Sequence, residues 1–282
     1  MTKTAKAYAK INLFLDITGK RSDGYHELDS VFESVSLYDE ITLTLTDEGI
    51  SVVCDQEELS GEDNIVYKAC ELFFEEVEYS GGAYISINKN IPVAAGLGGG
   101  SADAAAILVL LNEAFGNPIG IKTLCQIAFR LGADVPFCLI GGTARVRGIG
   151  EEISQVNTPE LHYVLFKERN KQSTGKMFSV IDETEYTNKL EIENILTALN
   201  NNDIERVSKN LFNAFAFCWD FEDMTKSFRP FAPLGVFLSG SGPTVGAIFN
   251  SQQEAENCAK ALKNSGLNAY YARSMPVGVE IV

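Results

Sequence analysis

The sequence predicts an α+β protein in two domains. Three observations predict it: strict apolar/polar alternation over residues 41–46, apolar residues at helical spacing over 64–77, and a drop in glycine and alanine with a rise in charge around 150–165. The boundary is placed near 155, giving domains 1–155 and 156–282. A chain of 282 residues, 45% of them hydrophobic, is long enough for a sizeable core.

The elements follow in order. Residues 5–17 read as a strand with Lys10 and Asn12 on one face and Ile11, Leu13 and Leu15 on the other. The Lys10/Asn12 face is either solvated, which composition favours, or the wall of a pocket. The Asp23-Gly24 turn signal presents Tyr25 and His26 side by side. Residues 41–46 are a half-buried strand. Residues 64–77 form a helix with Asp63 as its N-cap. Residues 84–87 are a strand that leads into a glycine loop, and the loop runs into a helix over 101–111. A second helix over 122–131 ends at Gly132 in a C′ position. Asp134 follows that end and precedes Pro136, which cannot continue a helix. A carboxylate leading into an apolar run is expected to be partly buried and to need a partner, or else to serve a turn or cap. In the second half, helical periodicity covers 191–200, 204–215 and 253–263. Between them, residues 235–249 read as strand, glycine turn, strand, with Ser239, Gly240, Ser241 and Gly242 at the turn. There is no internal repeat and no low-complexity tract.

Composition excludes several classes. The net charge is −15, whereas a nucleic-acid binder is usually basic, so no nucleic acid is expected as partner. The acidity reads as solubility, and an anionic ligand would need local positive groups. Six cysteines, at 54, 70, 125, 138, 218 and 258, include no C-x-x-C and read as reduced core thiols of a cytoplasmic protein. His26 and His162 are too few for a histidine-rich metal site. The apolar run at 11–15 stops at Asp16 and is no signal peptide, and no apolar stretch is long enough to span a bilayer.

The motif that carries chemistry is the loop Pro92, Val93, Ala94, Ala95, Gly96, Leu97, Gly98, Gly99, Gly100, which enters a helix at Ser101 and Ala102. Glycine tolerates positive φ and leaves no Cβ between backbone and ligand. The first N–H groups of the helix have no partner within it and carry the positive end of its dipole. Such a loop is an anion cradle, and phosphate is the usual anion. It is not the Walker loop, which needs Gly-Lys-Ser/Thr, nor the dinucleotide G-x-G-x-x-G, nor the nucleophile elbow G-x-S-x-G. The glycine turn at 239–242 is expected to close over the same site.

The glycine loop, the Lys10-x-Asn12 strand and the Ser-Gly-Ser-Gly-Pro turn together resemble the GHMP kinase superfamily, named for its galactokinase, homoserine, mevalonate and phosphomevalonate kinase members. Three strings narrow the resemblance: Asp-Gly-Tyr-His-Glu-Leu at 23–28, Gly-Ala-Asp-Val-Pro-Phe at 132–137 and the loop form at 95–105. They are similar to the branch that phosphorylates the 2-hydroxyl of 4-diphosphocytidyl-2-C-methyl-D-erythritol in the non-mevalonate isoprenoid pathway. The resemblance covers nearly the whole chain. It implies two lobes, an N-terminal one like ribosomal protein S5 and a C-terminal ferredoxin-like one, with ATP against the glycine loop and the small-molecule substrate between the lobes. It implies Asn64, Ile65, Val66 and Lys89 near the adenosine end, Lys10 and Asp134 as the catalytic pair, and Asn12 on the substrate side. By the same resemblance Tyr25 and His26 match the cytosine-binding positions, and Phe178 a second aromatic that closes on the ring. Mg²⁺ is expected to come with ATP, with protein ligands the sequence does not identify. The protein is expected to be a monomer or weak homodimer. The chain departs from the pattern at 165–178, which is more charged and poorer in proline, and at 210–213. Another GHMP kinase, of mevalonate or homoserine type, is the alternative within the class, but it has no evident use for Tyr25 and His26. A non-catalytic nucleotide binder on this fold has no need of both Lys10 and Asp134.

Overall fold

Two long antiparallel strands, β1 (Thr2–Lys20) and β2 (His26–Thr46), form the spine of the protein. The structure is a computed structural model and describes residues 2–167, 169 and 173–282. Next in the chain come β3 (Ile50–Cys54), α1 (Ile65–Glu76), β4 (Gly82–Asn88), α2 (Gly99–Ala114), α3 (Ile121–Leu131) and α4 (Val135–Ile140). They are followed by β5 (Thr143–Gly148), β6 (Glu152–Val156), β7 (His162–Lys167), α5 (Thr174–Asp182), α6 (Ile192–Asn200) and α7 (Ile204–Lys209). The chain closes with β8 (Phe212–Asn213), α8 (Phe221–Thr225), β9 (Gly235–Leu238), β10 (Thr244–Phe249), α9 (Gln252–Asn264), β11 (Ala269–Arg273) and β12 (Val279–Ile281).

The first sheet runs β12-β1-β2-β4-β3, and β5 pairs with the first half of β2 and carries β6 outside it. The second sheet is four-stranded and antiparallel, in the order β11-β7-β10-β9. One apolar core lies between the first sheet and helices α1–α4 and extends to Tyr163 and Phe237 of the second sheet. A second core lies between the second sheet, α9, α5 and α8. The division near 155 falls at the end of β6, yet later segments return to the first sheet. β12 pairs with the start of β1 and β8 pairs in parallel further along it, both on the edge opposite β2. Among the described residues no helix is long and apolar enough to cross a membrane.

The elements depart from the sequence reading in identifiable ways. Over its middle, β1 is buried on both faces, so the Lys10/Asn12 face is not solvated: Lys10 is 4% exposed and Asn12 is wholly buried. The N-cap of α1 is Asn64, not Asp63; its Oδ1 accepts from Val66 N at 2.9 Å while its amide donates to Leu59 O. Gly132 ends α3 in extended backbone without a left-handed turn. Pro136 does not end helical structure but stands in the first turn of α4, where its missing N–H is no loss. Helical periodicity over 204–215 breaks at Lys209, because Phe212 and Asn213 are drawn into pairing with Phe14 and Leu15. The six cysteines are all free thiols, four of them buried.

The Ala-rich helix α2 is the central packing piece. Ala102, Ala104, Ala105 and Ala106 are wholly buried, and their small side chains let the helix lie close against β1 and between α1 and α4. This packing fixes the N-terminus of α2, and with it the glycine loop, directly over the middle of β1.

Candidate active site

A cavity of about 1050 Å³ opens where the glycine loop, the β1–β2 hairpin, α5 and the 239–242 turn meet. One wall is the loop from Pro92 to Ser101, every residue of which reaches the cavity. The loop's shape follows from its backbone. Gly98, at the N-cap of α2, has φ +70° and Gly96 has φ +81°, the left-handed region that glycine enters freely. A Cβ on Gly98 would stand 2.8 Å from Lys10 Cγ, and one on Gly96 would run into the carbonyl of Ser239. The loop is thus pressed onto β1 on one side and onto the second glycine turn on the other. Lys10 N donates to Leu97 O (2.9 Å), Ser239 Oγ to Gly96 O (2.9 Å) and Thr244 N to Ala95 O (3.2 Å). The N-terminus of a four-turn helix faces the cavity from this loop, a ready site for phosphate oxygens.

Opposite stands Lys10. Its ammonium lies 3.3 Å from Asp134 Oδ2, donates to Asn12 Oδ1 at 3.0 Å and sits 4.2 Å above the ring centre of Phe32. Asp134 occupies the N-cap position of α4, but its side chain caps nothing and turns to Lys10 instead. The pair combines a buried cation with a carboxylate whose side chain is 36% exposed and faces the cavity. Asn12 does not line the cavity. Its Oδ1 accepts from Lys10 Nζ and Gly240 N, and its amide donates to Ser30 Oγ, so it ties the lysine to the second glycine turn from behind.

Lys89 reaches the cavity floor with its charge already committed. Its ammonium bonds Asp39, and Asp103 Oδ2 at 2.7 Å. Asp39 also accepts from the N–H groups of Asn90 and Ile91, which anchors the chain just before the glycine loop. Burial works against the charge of Lys89, but Asp103 and Asp39 outweigh it and hold the ammonium above the usual lysine range. Burial pushes the Asp103 carboxyl up against the pull of Lys89. Nζ would lie 3.3 Å from a Cβ on Gly99, so this cluster supports the start of α2 from below.

At the far end, Tyr25 is 61% exposed at the cavity rim. His26 Nε2 lies 2.6 Å from Asp182 Oδ1, and its ring stacks on Phe178 with centroids 4.6 Å apart and planes 18° apart. Asn64 and Ile65 line the opposite end, and Gly240 and Ser241 the side. Val66 and Ala102 are wholly buried and do not reach the cavity, since both point into the α1–α2 packing. Ser239 and Gly242 hold the turn together through Gly242 N donating to Ser239 O.

Some residues that shape the site carry no sequence signal. The amide of Asn213 donates to Leu238 O (2.8 Å) and Gly240 O (2.9 Å), holding the glycine turn in place. Lys20 and Asp182 close the cavity near His26. Their partners are as much as 162 residues away in the chain, and no local pattern marks them. Of the segment 165–178, residues 168 and 170–172 lie outside the described residues.

Comparison with known proteins adds to this geometry. Residues 64–142 match the family described as GHMP kinases N terminal domain, and residues 195–268 match GHMP kinases C terminal. A curated 4-diphosphocytidyl-2-C-methyl-D-erythritol kinase of Clostridium tetani is 37% identical over 277 residues, covering 96% of this chain and 99% of its own. A crystal structure of 4-(cytidine 5'-diphospho)-2C-methyl-D-erythritol kinase superposes with a TM-score of 0.80 at 30% identity, over 97% of this chain and 99% of that one. A homoserine kinase from Cytophaga hutchinsonii has a TM-score of 0.79 at 19% identity, over 100% of this chain and 97% of its own, a likeness of fold alone.

Proposed function

Because the chain belongs to the 4-diphosphocytidyl-2-C-methyl-D-erythritol kinase family of the GHMP kinases, we propose that it transfers the γ-phosphoryl group of ATP to the 2-hydroxyl of that cytidyl-methylerythritol substrate. The observation that supports this most is the Lys10–Asp134 pair, 3.3 Å apart, facing a glycine loop that opens a helix across one cavity.

Phosphoryl transfer passes through a loose transition state, so the protein's part is positioning and charge stabilisation. The cradle fits a triphosphate. Gly96 and Gly98 leave no room for side chains, and the free N–H groups at the start of α2 point where phosphate oxygens would lie. Asp134 takes the proton of the attacking hydroxyl as the oxygen–phosphorus bond forms and the bond to ADP breaks. Lys10, held rigidly by Asn12 and Phe32, attracts the negative charge that develops on the transferring group. Bound with ATP, Mg²⁺ would offset the negative charge of the phosphates while needing few protein ligands. Among the described residues no group of three His, Cys, Asp or Glu could hold a metal ion. Asn64 and Ile65 flank the adenosine, while Lys89 acts from beneath the loop. Tyr25 offers an exposed ring face for the cytosine and His26 a hydrogen-bonding edge, with Phe178 packed on His26. The test is ATP consumption that depends on the cytidyl acceptor.

A further inference from the structure

Three element ends converge at the pyrimidine end of the cavity. Lys20 ends β1, His26 opens β2 and Asp182 ends α5. Both oxygens of Asp182 are in use: Oδ1 lies 2.6 Å from His26 Nε2, and Oδ2 lies 2.5 Å from Lys20 Nζ. Lys20 first, and His26 after it, hold this carboxyl below the usual carboxylate range. An ionised carboxylate only accepts, so the hydrogen in the short contact sits on Nε2. In the neutral ring, Nδ1 is then bare. Nδ1 has no hydrogen-bond partner among the described residues, and His26 lines the cavity. The ring plane is fixed as well, because Phe178 stacks on it and Phe215 braces Phe178 edge-on at 5.0 Å.

We propose that Asp182 is a positioning residue for base selection. By accepting the Nε2–H of His26 it presents Nδ1 as an acceptor, which suits the amino edge of cytosine and opposes the carbonyl edge of uracil. The proposal rests on the reading that a cytidine-bearing substrate occupies this end of the cavity. Cytosine carries an N–H donor at the position where uracil carries an oxygen, so a fixed acceptor meets a donor in one and a lone pair in the other. Were the tautomer free to switch, Nδ1–H would suit the uracil oxygen, and the preference would fade.

Two measurements test this. The chain has only two histidines, so long-range ¹⁵N–¹H spectra of the full chain resolve the tautomer of each, with His162→Gln as the assignment control. The wild type is expected to show the Nε2–H form at His26, and Asp182→Ala to show a mixture or the reverse. In parallel, kcat/KM is measured for the cytidyl substrate and its uridyl analogue. The ratio is expected to fall about 10- to 100-fold in Asp182→Ala and Asp182→Asn and to be partly restored in Asp182→Glu. The KM for ATP and kcat at saturating cytidyl substrate should stay within about two-fold of wild type. An unchanged ratio, an Nε2–H tautomer that persists without Asp182, or a loss shared equally with ATP would each overturn the proposal. Should the wild type turn over no cytidyl substrate at all, the functional reading fails instead, and the tautomer spectra still decide what Asp182 does to His26.

Discussion

Lys10 meets three demands at once. It must be charged, held still and shielded from bulk water, and Asp134, Asn12 and Phe32 each supply part of this. Isolated burial of an ammonium would be costly, and here a carboxylate, an amide oxygen and a ring face replace its water. If Asp134 is the base, Asp134→Asn keeps the shape and removes the proton acceptor. Turnover should then fall by roughly 10²- to 10⁴-fold, while ATP affinity, measured by equilibrium binding, stays within a few-fold. Turnover near the wild-type rate would mean that the hydroxyl loses its proton elsewhere. Lys10 and Asp134 were legible in the sequence as motif positions, yet the burial of the Lys10 face was not. Composition favours solvent for such a face, and only the packing of α2 over β1 reverses it. Asn213 and Asp182 were illegible, because each acts on a partner far along the chain.

At the scale of elements, the site is two glycine turns braced against each other over one strand. The first turn was plain in the sequence, since a glycine cluster abutting a helix has few other uses. What the pattern could not give was how close the approach is: Gly98 has room for no Cβ because the Lys10 stem runs beneath it. Gly98→Ala should therefore do two things. It strains a residue at φ +70°, at a cost of about 1–2 kcal/mol, and it pushes the Lys10 side chain off its line to Asp134. Gly116→Ala is the matched control, with φ +76° and open space around the new methyl. Both variants should lose stability in thermal melts, Gly98→Ala at least as much as Gly116→Ala, but only Gly98→Ala should lose kcat, by about 10-fold or more. Equal kcat in the two would show that the Lys10 stem need not touch the loop. The run at 204–215 illustrates the opposite case, where a helical pattern was legible and incomplete. Leu211, Phe212 and Phe215 fit helical spacing, but pairing with β1 and the cap bond that Phe215 N donates to Asn213 Oδ1 take them out of it.

For the whole molecule, the two sheets are joined through a buried acid. Glu33 on β2 and Tyr163 on β7 are both wholly buried, and the Tyr163 hydroxyl donates to Glu33 Oε2 at 2.6 Å. Glu33 Oε1 has no partner among the described residues, and burial pushes this carboxyl up to about 7. Its value in the fold lies above its unfolded one, so its stabilising contribution is full below about 4.5 and is lost as pH rises through about 7. Glu33→Gln imitates the neutral acid. In urea unfolding between pH 4.5 and 8, wild type should lose up to about 3 kcal/mol relative to Glu33→Gln; parallel profiles would mean that Glu33 carries no proton across this range. The two-lobed α+β plan was legible from periodicity and motif order, whereas the return of β8 and β12 to the first sheet was not, because short strands leave little pattern. On the proposed reading the acceptor is set at this scale too, since the cavity runs from the glycine loop to Tyr25 and His26. The most direct measurement is ATP consumption by the purified protein with Mg²⁺, run in parallel with 4-diphosphocytidyl-2-C-methyl-D-erythritol, mevalonate and homoserine. Turnover with the cytidyl acceptor alone is the predicted result; turnover with mevalonate or homoserine instead, or with none of the three in protein that binds ATP, would contradict the account.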